Sequence, residues 1–316
     1  MSSPKKITIV VPFLNEKENL PVLLERVAGT FSGRTEDWEL LLVDDGSTDG
    51  SAEWAVEQAK SNRHVRVVRL SRNFGHQLAI TAGLDRSDGD AVVVMDADLQ
   101  DPPETIGPMV DKWLEGHEVV YAIRRSRAGE TWMKKFLAAG FYRVFRRLAK
   151  VNIPMDAGDF RLVDRCVVDV LRDMRELHRF MRGLTCWVGF RQASVAYDRA
   201  ARHAGETKYP VWKSARLAFD AITSFSASPL RWIAVLGVGI CAVAALWVLY
   251  VMVQALVNPG SMQKGWASTI AVMVFLGGVQ LVSIGLLGQY VSRIFEEGKR
   301  RPLYLVRTDT KADKAS

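Results

Sequence analysis

The chain reads as an α/β protein: a doubly wound, mostly parallel sheet, followed by amphipathic interface helices and a two-helix transmembrane hairpin. Three observations predict this. Apolar runs of strand length alternate with helix-length segments from Ile7 to Ile123. Two of those runs end in acidic turns, Asp44-Asp45 and Asp96 to Gln100. Later, Ile233 to Val257 and Trp266 to Val291 run without a formal charge for long enough to cross a bilayer.

Ile7 to Val11 is a buried strand ended by Pro12-Phe13-Leu14-Asn15-Glu16, and Asn19 to Thr30 is a helix. Trp38 to Val43 is the second strand. Asp44-Asp45-Gly46-Ser47-Thr48-Asp49-Gly50 then turns the chain and opens a helix near Ser51 to Ser61, with Asp49 as its cap. Val65 to Leu70 is a strand, His76 to Arg86 a helix, and Ala91 to Met95 a strand. A helix from Glu104 to Glu115, stopped by Gly116, and a strand from Glu118 to Ile123 continue the alternation. Repeated units of this kind gather their functional loops at the carboxyl ends of the strands.

From Thr131 to Lys150, apolar residues keep i, i+3, i+4 spacing, with Lys134, Lys135, Arg143, Arg146 and Arg147 mostly on the other side, as in a membrane-surface helix. Val211 to Phe225 is a second amphipathic candidate. The link Asn258 to Gly265 carries only Lys264. The outer flanks carry Arg216 and Arg231 before the hairpin, and Arg293, Lys299, Arg300 and Arg301 after it, which puts both flanks in the cytoplasm. Gly277, Gly278, Gly285 and Gly288 offer close helix packing. The expected organisation is a catalytic domain over 1–206, a juxtamembrane helix over 207–231, a hairpin over 232–292 and a basic tail over 293–316. Beyond Arg307 the tail is expected to be disordered.

Across 316 residues, 42 Lys and Arg against 35 Asp and Glu give a net charge of +7, which suits an anionic partner. A nucleic-acid binder explains that charge but not the hairpin. Cys166, Cys186 and Cys241 have no metal or disulfide spacing, so a reducing compartment is expected.

The stretch Asp96-Ala97-Asp98-Leu99-Gln100-Asp101-Pro102-Pro103-Glu104 carries the most chemistry. Two carboxylates two residues apart, with an amide two further on, supply hard oxygen donors for Mg²⁺ or Mn²⁺. The competing reading is an acidic turn with a helix cap. Neither Gly-x-Gly-x-x-Gly nor Gly-x4-Gly-Lys-Ser/Thr follows the first strand, so glycine-rich phosphate cradles are excluded.

Pro12-Phe13-Leu14-Asn15-Glu16, Asp44-Asp45-Gly46-Ser47, Asn73-Phe74-Gly75-His76 and Asp96-Ala97-Asp98-Leu99-Gln100 resemble the A-type (GT-A) nucleotide-sugar domain of inverting glycosyltransferase family 2. Gly158-Asp159-Phe160-Arg161-Leu162-Val163-Asp164-Arg165 and Arg202-His203-Ala204-Gly205-Glu206-Thr207-Lys208 resemble its polyprenyl-phosphate branch, which includes bactoprenol glucosyltransferases and dolichol-phosphate mannose synthases. The likeness runs over nearly the whole chain in the right order.

The resemblance implies metal-dependent transfer of a sugar, with UDP-glucose the leading donor, to a polyprenyl phosphate at a bacterial plasma membrane. It implies a multi-pass protein with both termini in the cytoplasm, and self-association is expected. Asp98 and Gln100 would be the direct metal ligands, with Asp96 assisting and Pro12, Asn15, Glu16, Asp44 and Asp45 at the nucleoside. Asp159 is where the family places a candidate base. A phosphate monoester, however, is already largely ionised at pH 7, since its second pKa is about 6. Asp159 is therefore expected to position the sugar or an Arg network, against the alternative of a buried pair with Arg161 or Arg165. For the lipid phosphate, guanidinium forks favour Arg124 and Arg202, with Lys134 and Arg143 as steering charges. His76 is read either as a donor contact or as a structural histidine.

Two rivals remain in view. A processive polysaccharide synthase would carry Gln-x-x-Arg-Trp and more membrane helices, and neither is present. A non-catalytic nucleotide-sugar binding module would not need acceptor residues. Another sugar, such as mannose, an N-acetylhexosamine or aminoarabinose, would use the same scaffold.

Overall fold

The structure is a computed structural model that describes residues 4–125, 157–177, 179–198, 228–257 and 265–311. The segments 131–150 and 211–225, and with them Lys134, Arg143, Arg202 and Lys208, lie outside the described residues. The chain divides into two compact units, Met1–Val211 with Pro302–Ser316, and Trp212–Arg301.

The first unit holds β1 (Lys6–Phe13), α1 (Asn19–Phe31), β2 (Asp37–Asp44), α2 (Ser51–Ser61), β3 (Val65–Leu70), α3 (His76–Arg86) and β4 (Ala91–Val94). These are followed by a 3-10 turn (Pro103–Thr105), α4 (Ile106–Leu114), β5 (Val119–Arg124), β6 (Ala157–Asp164), α5 (Arg165–Asp173), α6 (Met181–Trp187) and β7 (Gln192–Tyr197). The strands form one sheet in the order β7-β5-β6-β4-β1-β2-β3-β8, where β8 is Val306–Asp309. Strands β1 to β5 and β7 share one direction, while β6 and β8 run against it.

Local chemistry accounts for most of these elements. The central strands are buried on both faces, so β1 and β4 are nearly continuous apolar runs rather than alternating ones. Helix α1 buries Leu20, Leu23, Val27 and Phe31, and α4 buries Ile106, Met109, Val110 and Trp113, each on one stripe. Helix α3 packs so closely on the sheet that a Cβ at Gly83 would sit 2.2 Å from Val10 Cγ1. Helix α5 is capped by Asp164, whose side chain accepts the Cys166 N–H at 2.9 Å.

Two departures from the sequence reading matter. The sheet is mostly parallel, as expected, but β6, a strand not anticipated from the sequence, inserts antiparallel between β4 and β5. The segment through Lys311 also folds onto the first unit, where a loose tail after Arg307 is expected from the sequence. Strand β8 pairs antiparallel with β3, Val67 and Thr310 exchange hydrogen bonds at 3.0 Å, and Arg66 grips Asp309 at 3.0 and 2.8 Å. A short, polar strand carries no apolar signal, so only its distant partner reveals it.

The second unit holds α7 (Ser228–Val257) and α8 (Trp266–Gly298). Among the described residues one segment, Phe275–Gly298, is long and apolar enough to cross a membrane. The apolar stretch Ile233–Trp247 of α7 is shorter, so two full spans are not established. Among the described residues, an added Cβ at Gly277, Gly278, Gly285 or Gly288 meets nothing within 4 Å.

Candidate active site

Strand β4 ends buried at Val94, and the Met95 N–H still bonds Val10 O at 3.1 Å before the chain turns into the acidic loop. Leu99 takes a left-handed backbone (φ 58°), rare for a bulky residue, while its side chain is 3% exposed. That turn leaves Asp96, Asp98 and Gln100 partly exposed between buried Ala97 and Leu99. The Gln100 N–H closes the loop onto Asp98 Oδ1 at 3.1 Å.

The antiparallel strand β6 then supplies the second carboxylate. Val94 is opposite Arg161, so two residues further along, Asp159 comes level with Asp96. Asp159 is 6% exposed and is held in a fork by Arg182, whose Nε and Nη2 donate at 2.9 and 3.0 Å. Arg161 Nη2 lies at 3.5 Å. His76 Nε2 bridges the two carboxylates, 3.4 Å from Asp96 Oδ1 and 3.5 Å from Asp159 Oδ2.

These charges set the electrostatics. Burial disfavours the Asp159 carboxylate, but the His76 hydrogen bond and the Arg182 and Arg161 guanidiniums outweigh it and hold its pKa far below the usual range. Burial also opposes the His76 cation, yet the bond to Asp159 and the charge of Asp96 hold its pKa above the ordinary value. For Asp96, burial, helped by Asp159, Asp101 and Asp98 and opposed by His76, pushes the carboxyl up to about 6. Negative charge is thus crowded at the acidic loop and neutralised around Asp159.

The nucleoside-side candidates form one clasp. Asn15 N–H donates to Ser47 Oγ at 3.0 Å, and its Oδ1 accepts the Thr48 N–H at 2.8 Å. Glu16 N–H bonds Ser51 Oγ at 3.0 Å, and the Glu16 carboxylate accepts Asn19 Nδ2–H at 2.6 Å. Pro12 is buried within β1. Asp44 accepts the Ser47 N–H at 2.8 Å and Arg69 Nε–H at 3.3 Å. Asp45 accepts the Phe74 and Gly75 N–H groups at 2.7 and 3.0 Å. Both acids therefore organise loops. Gly46 (φ 86°) is required at their meeting point, because a Cβ there would lie 2.9 Å from Asn73 N. Asp49 accepts the Ser51 N–H at 2.9 Å just before α2, but the N-cap position itself is taken by Gly50 rather than Asp49.

Arg124 ends β5, with Nε donating to the Tyr197 hydroxyl at 3.1 Å. Arg202, Lys134 and Arg143 lie outside the described residues. The pairing of Asp159 with Arg161 appears, but Arg165 turns instead to Gly89 O and Asp169. Arg182, Asp101 and Tyr197 were not singled out from the sequence. Asp101 had the signal of adjacency to Gln100, whereas Arg182 and Tyr197 had none, being ordinary residues of later elements.

Among the described residues, no group of three or more His, Cys, Asp or Glu side chains forms a closed metal cage. The donor set of Asp96, Asp98 and Gln100 fits instead an oxygen-seeking divalent ion that shares its shell with water and substrate phosphate. Burial first, and the neighbouring carboxylates second, disfavour the Asp96 charge, a cost that such an ion would relieve.

Comparison with known proteins fits this arrangement. Residues 8–172 match the model of glycosyl transferase family 2, and residues 228–294 match the GtrB C-terminal hairpin. An uncharacterized glycosyltransferase of Synechocystis sp. is 44% identical over 95% of this chain and 94% of its own length. Bactoprenol glucosyl transferase of Shigella phage SfV is 37% identical over 96% and 99%, and a prophage bactoprenol glucosyl transferase homolog of Escherichia coli is 36% identical over 96% and 98%. A solved glucosyl-3-phosphoglycerate synthase from Mycobacterium tuberculosis, in complex with Mn²⁺, UDP-glucose and phosphoglyceric acid, is more distant. It is 20% identical over 69% of this chain and 77% of its own, with a TM-score of 0.47. The chain belongs to glycosyl transferase family 2 and is a glycosyltransferase that carries the GtrB-type C-terminal hairpin.

Proposed function

We propose that this enzyme transfers a hexose, glucose as the leading candidate, from UDP-glucose to the phosphate of a membrane polyprenol. The observation that carries the reading is the meeting, at one end of the sheet, of an oxygen-donor acidic loop with the cation-clamped Asp159. The names of the two relatives matched over nearly their whole lengths point the same way.

In this reading an acceptor phosphate oxygen bonds to the anomeric carbon with inversion. The bond to the diphosphate breaks, and its electron pair departs with that leaving group. Asp98 and Gln100, assisted by Asp96, would hold Mg²⁺ or Mn²⁺, which when bound supplies Lewis-acid neutralisation of the departing charge. Pro12, Asn15, Glu16, Asp44 and Asp45 shape the nucleoside side, the two aspartates by fixing its loops. Asp159 is a positioning group rather than a strong base, because its depressed pKa leaves little proton affinity and the acceptor is already ionised at neutral pH. Arg124 meets the acceptor phosphate, aided by Arg202 and the steering charges Lys134 and Arg143. Two membrane spans, a cytoplasmic catalytic unit and self-association belong to the same reading.

Membranes containing the protein, given labelled nucleotide sugars and polyprenyl phosphate with and without chelator, provide the test. The expected product is a chelator-sensitive polyprenyl-phosphate sugar. Activity that persists after complete removal of divalent metal removes the metal from the reading, and donor binding with no lipid product supports a binding module instead.

A further inference from the structure

At one edge of the site lies a chain of three polar groups, two of them buried. Asp101 is 1% exposed and directly follows Gln100. The Tyr197 hydroxyl donates to Asp101 Oδ1, and the hydroxyl oxygen in turn accepts Arg124 Nε–H at 3.1 Å. Arg124 Nη2 lies 3.8 Å from Asp101 Oδ1, within ionic attraction but beyond hydrogen-bond reach. The three groups come from three places: the acidic loop after β4, the end of β7 and the end of β5.

We propose that Tyr197 is a positioning residue, whose single hydroxyl aims the Arg124 guanidinium at the acceptor phosphate and ties that aim to the acidic loop. This rests on the reading of Arg124 as an acceptor ligand. The geometry favours the role over simple support. The Tyr197 ring packs edge-on against Phe160, with centroids 5.9 Å apart at 77°, so the hydroxyl has little freedom. Arg124 is 26% exposed, so its head remains at the surface of the site while Nε is anchored below. A guanidinium fixed through Nε presents a pre-oriented edge, and little rotamer entropy is then lost when a phosphate binds. Because Asp101 is covalently next to Gln100, a shift of the acidic loop moves the Tyr197 hydroxyl and with it Arg124.

The test uses the full-length enzyme in detergent, with undecaprenyl phosphate and the nucleotide sugar that turns over in the panel above. Tyr197→Phe keeps the ring and removes only the hydroxyl. It is expected to raise the KM for undecaprenyl phosphate about tenfold, the loss of roughly one charge-assisted hydrogen bond. The donor KM should stay within about twofold. A purely supporting role would lower thermal stability and active fraction and leave both KM values unchanged. Arg124→Ala is expected to raise the acceptor KM further, and Tyr197→Phe with Arg124→Ala to be no worse than Arg124→Ala alone. An unchanged acceptor KM in Tyr197→Phe, with a raised one in Arg124→Ala, overturns the inference and leaves the acceptor reading standing. An unchanged acceptor KM in Arg124→Ala overturns both. Should Tyr197→Phe not fold, Asp101→Ala, which removes the oxygen that anchors the Tyr197 hydroxyl, is read by the same split: a raised acceptor KM supports the proposal and an unchanged one overturns it.

Discussion

Asp159 and Asp309 are the same chemical object in two settings. Each is 6% exposed, and each is gripped by an arginine fork, Arg182 at 2.9 and 3.0 Å and Arg66 at 3.0 and 2.8 Å. Around Asp309 the remaining partners are Arg86 and the Lys311 N–H, and the residue joins β8 to the sheet edge. Around Asp159 stands His76, which also touches Asp96 of the acidic loop. A clamped carboxylate is thus not in itself a sign of catalysis; what separates Asp159 is that its neighbours join it to the acidic loop.

The sharpest way to break this comparison is to remove each charge in turn. Asp159→Asn should lower kcat by about a hundredfold or more, as expected when a positioning group at the reacting centre is lost. Near-normal turnover in steady-state assays would sink any role for it. Asp309→Asn should do the opposite, costing about 3 kcal/mol of stability because two guanidiniums lose their buried partner. The turnover of molecules that remain folded should be unchanged; thermal unfolding alongside specific activity reads both.

Conservative changes to the arginines sharpen the contrast. Lysine keeps the charge but not the planar fork. Arg182→Lys should cost about tenfold in activity with little change in Tm, and Arg66→Lys about 1 kcal/mol of stability with activity retained. Equal effects of the two on kcat would erase the distinction.

The last contrast is pH-dependent. Burial opposes the Asp309 charge, but Arg66, the Lys311 N–H and Arg86 outweigh it and depress its pKa. A depressed carboxyl stabilises the fold above the unfolded value of about 3.9, and the gain is lost as pH falls below that value through the folded one. The stability gap between the native chain and Asp309→Asn should therefore be full at neutral pH and close in acid. A gap that widened with acid would contradict the ion pair.

The parts of the fold that could be read in the sequence are those whose signal is local. The strands at Ile7, Trp38, Val65, Ala91 and Glu118 announce themselves as apolar runs, and the acidic loop by its carboxylate spacing after one of them. Strand β6 hides because buried Arg161 and Asp159 interrupt its apolar pattern, and β8 because Arg307, Thr308 and Asp309 look like a solvated end. The Asp44-Asp45 pair was legible as an acidic turn after a strand, but not that backbone N–H groups and Arg69 occupy its oxygens.

By itself, then, the sequence determined the alternation of strands and helices, the apolar segments at the end and the donor chemistry of Asp96, Asp98 and Gln100. The tertiary structure decided what stands beside them. The antiparallel register of β6 brings Asp159 level with Asp96, α6 adds Arg182, and β7 adds Tyr197 against Asp101. The physical reason is that periodicity reports which face of an element is buried, whereas pairing between strands distant in sequence is set by register and packing, which no local pattern encodes.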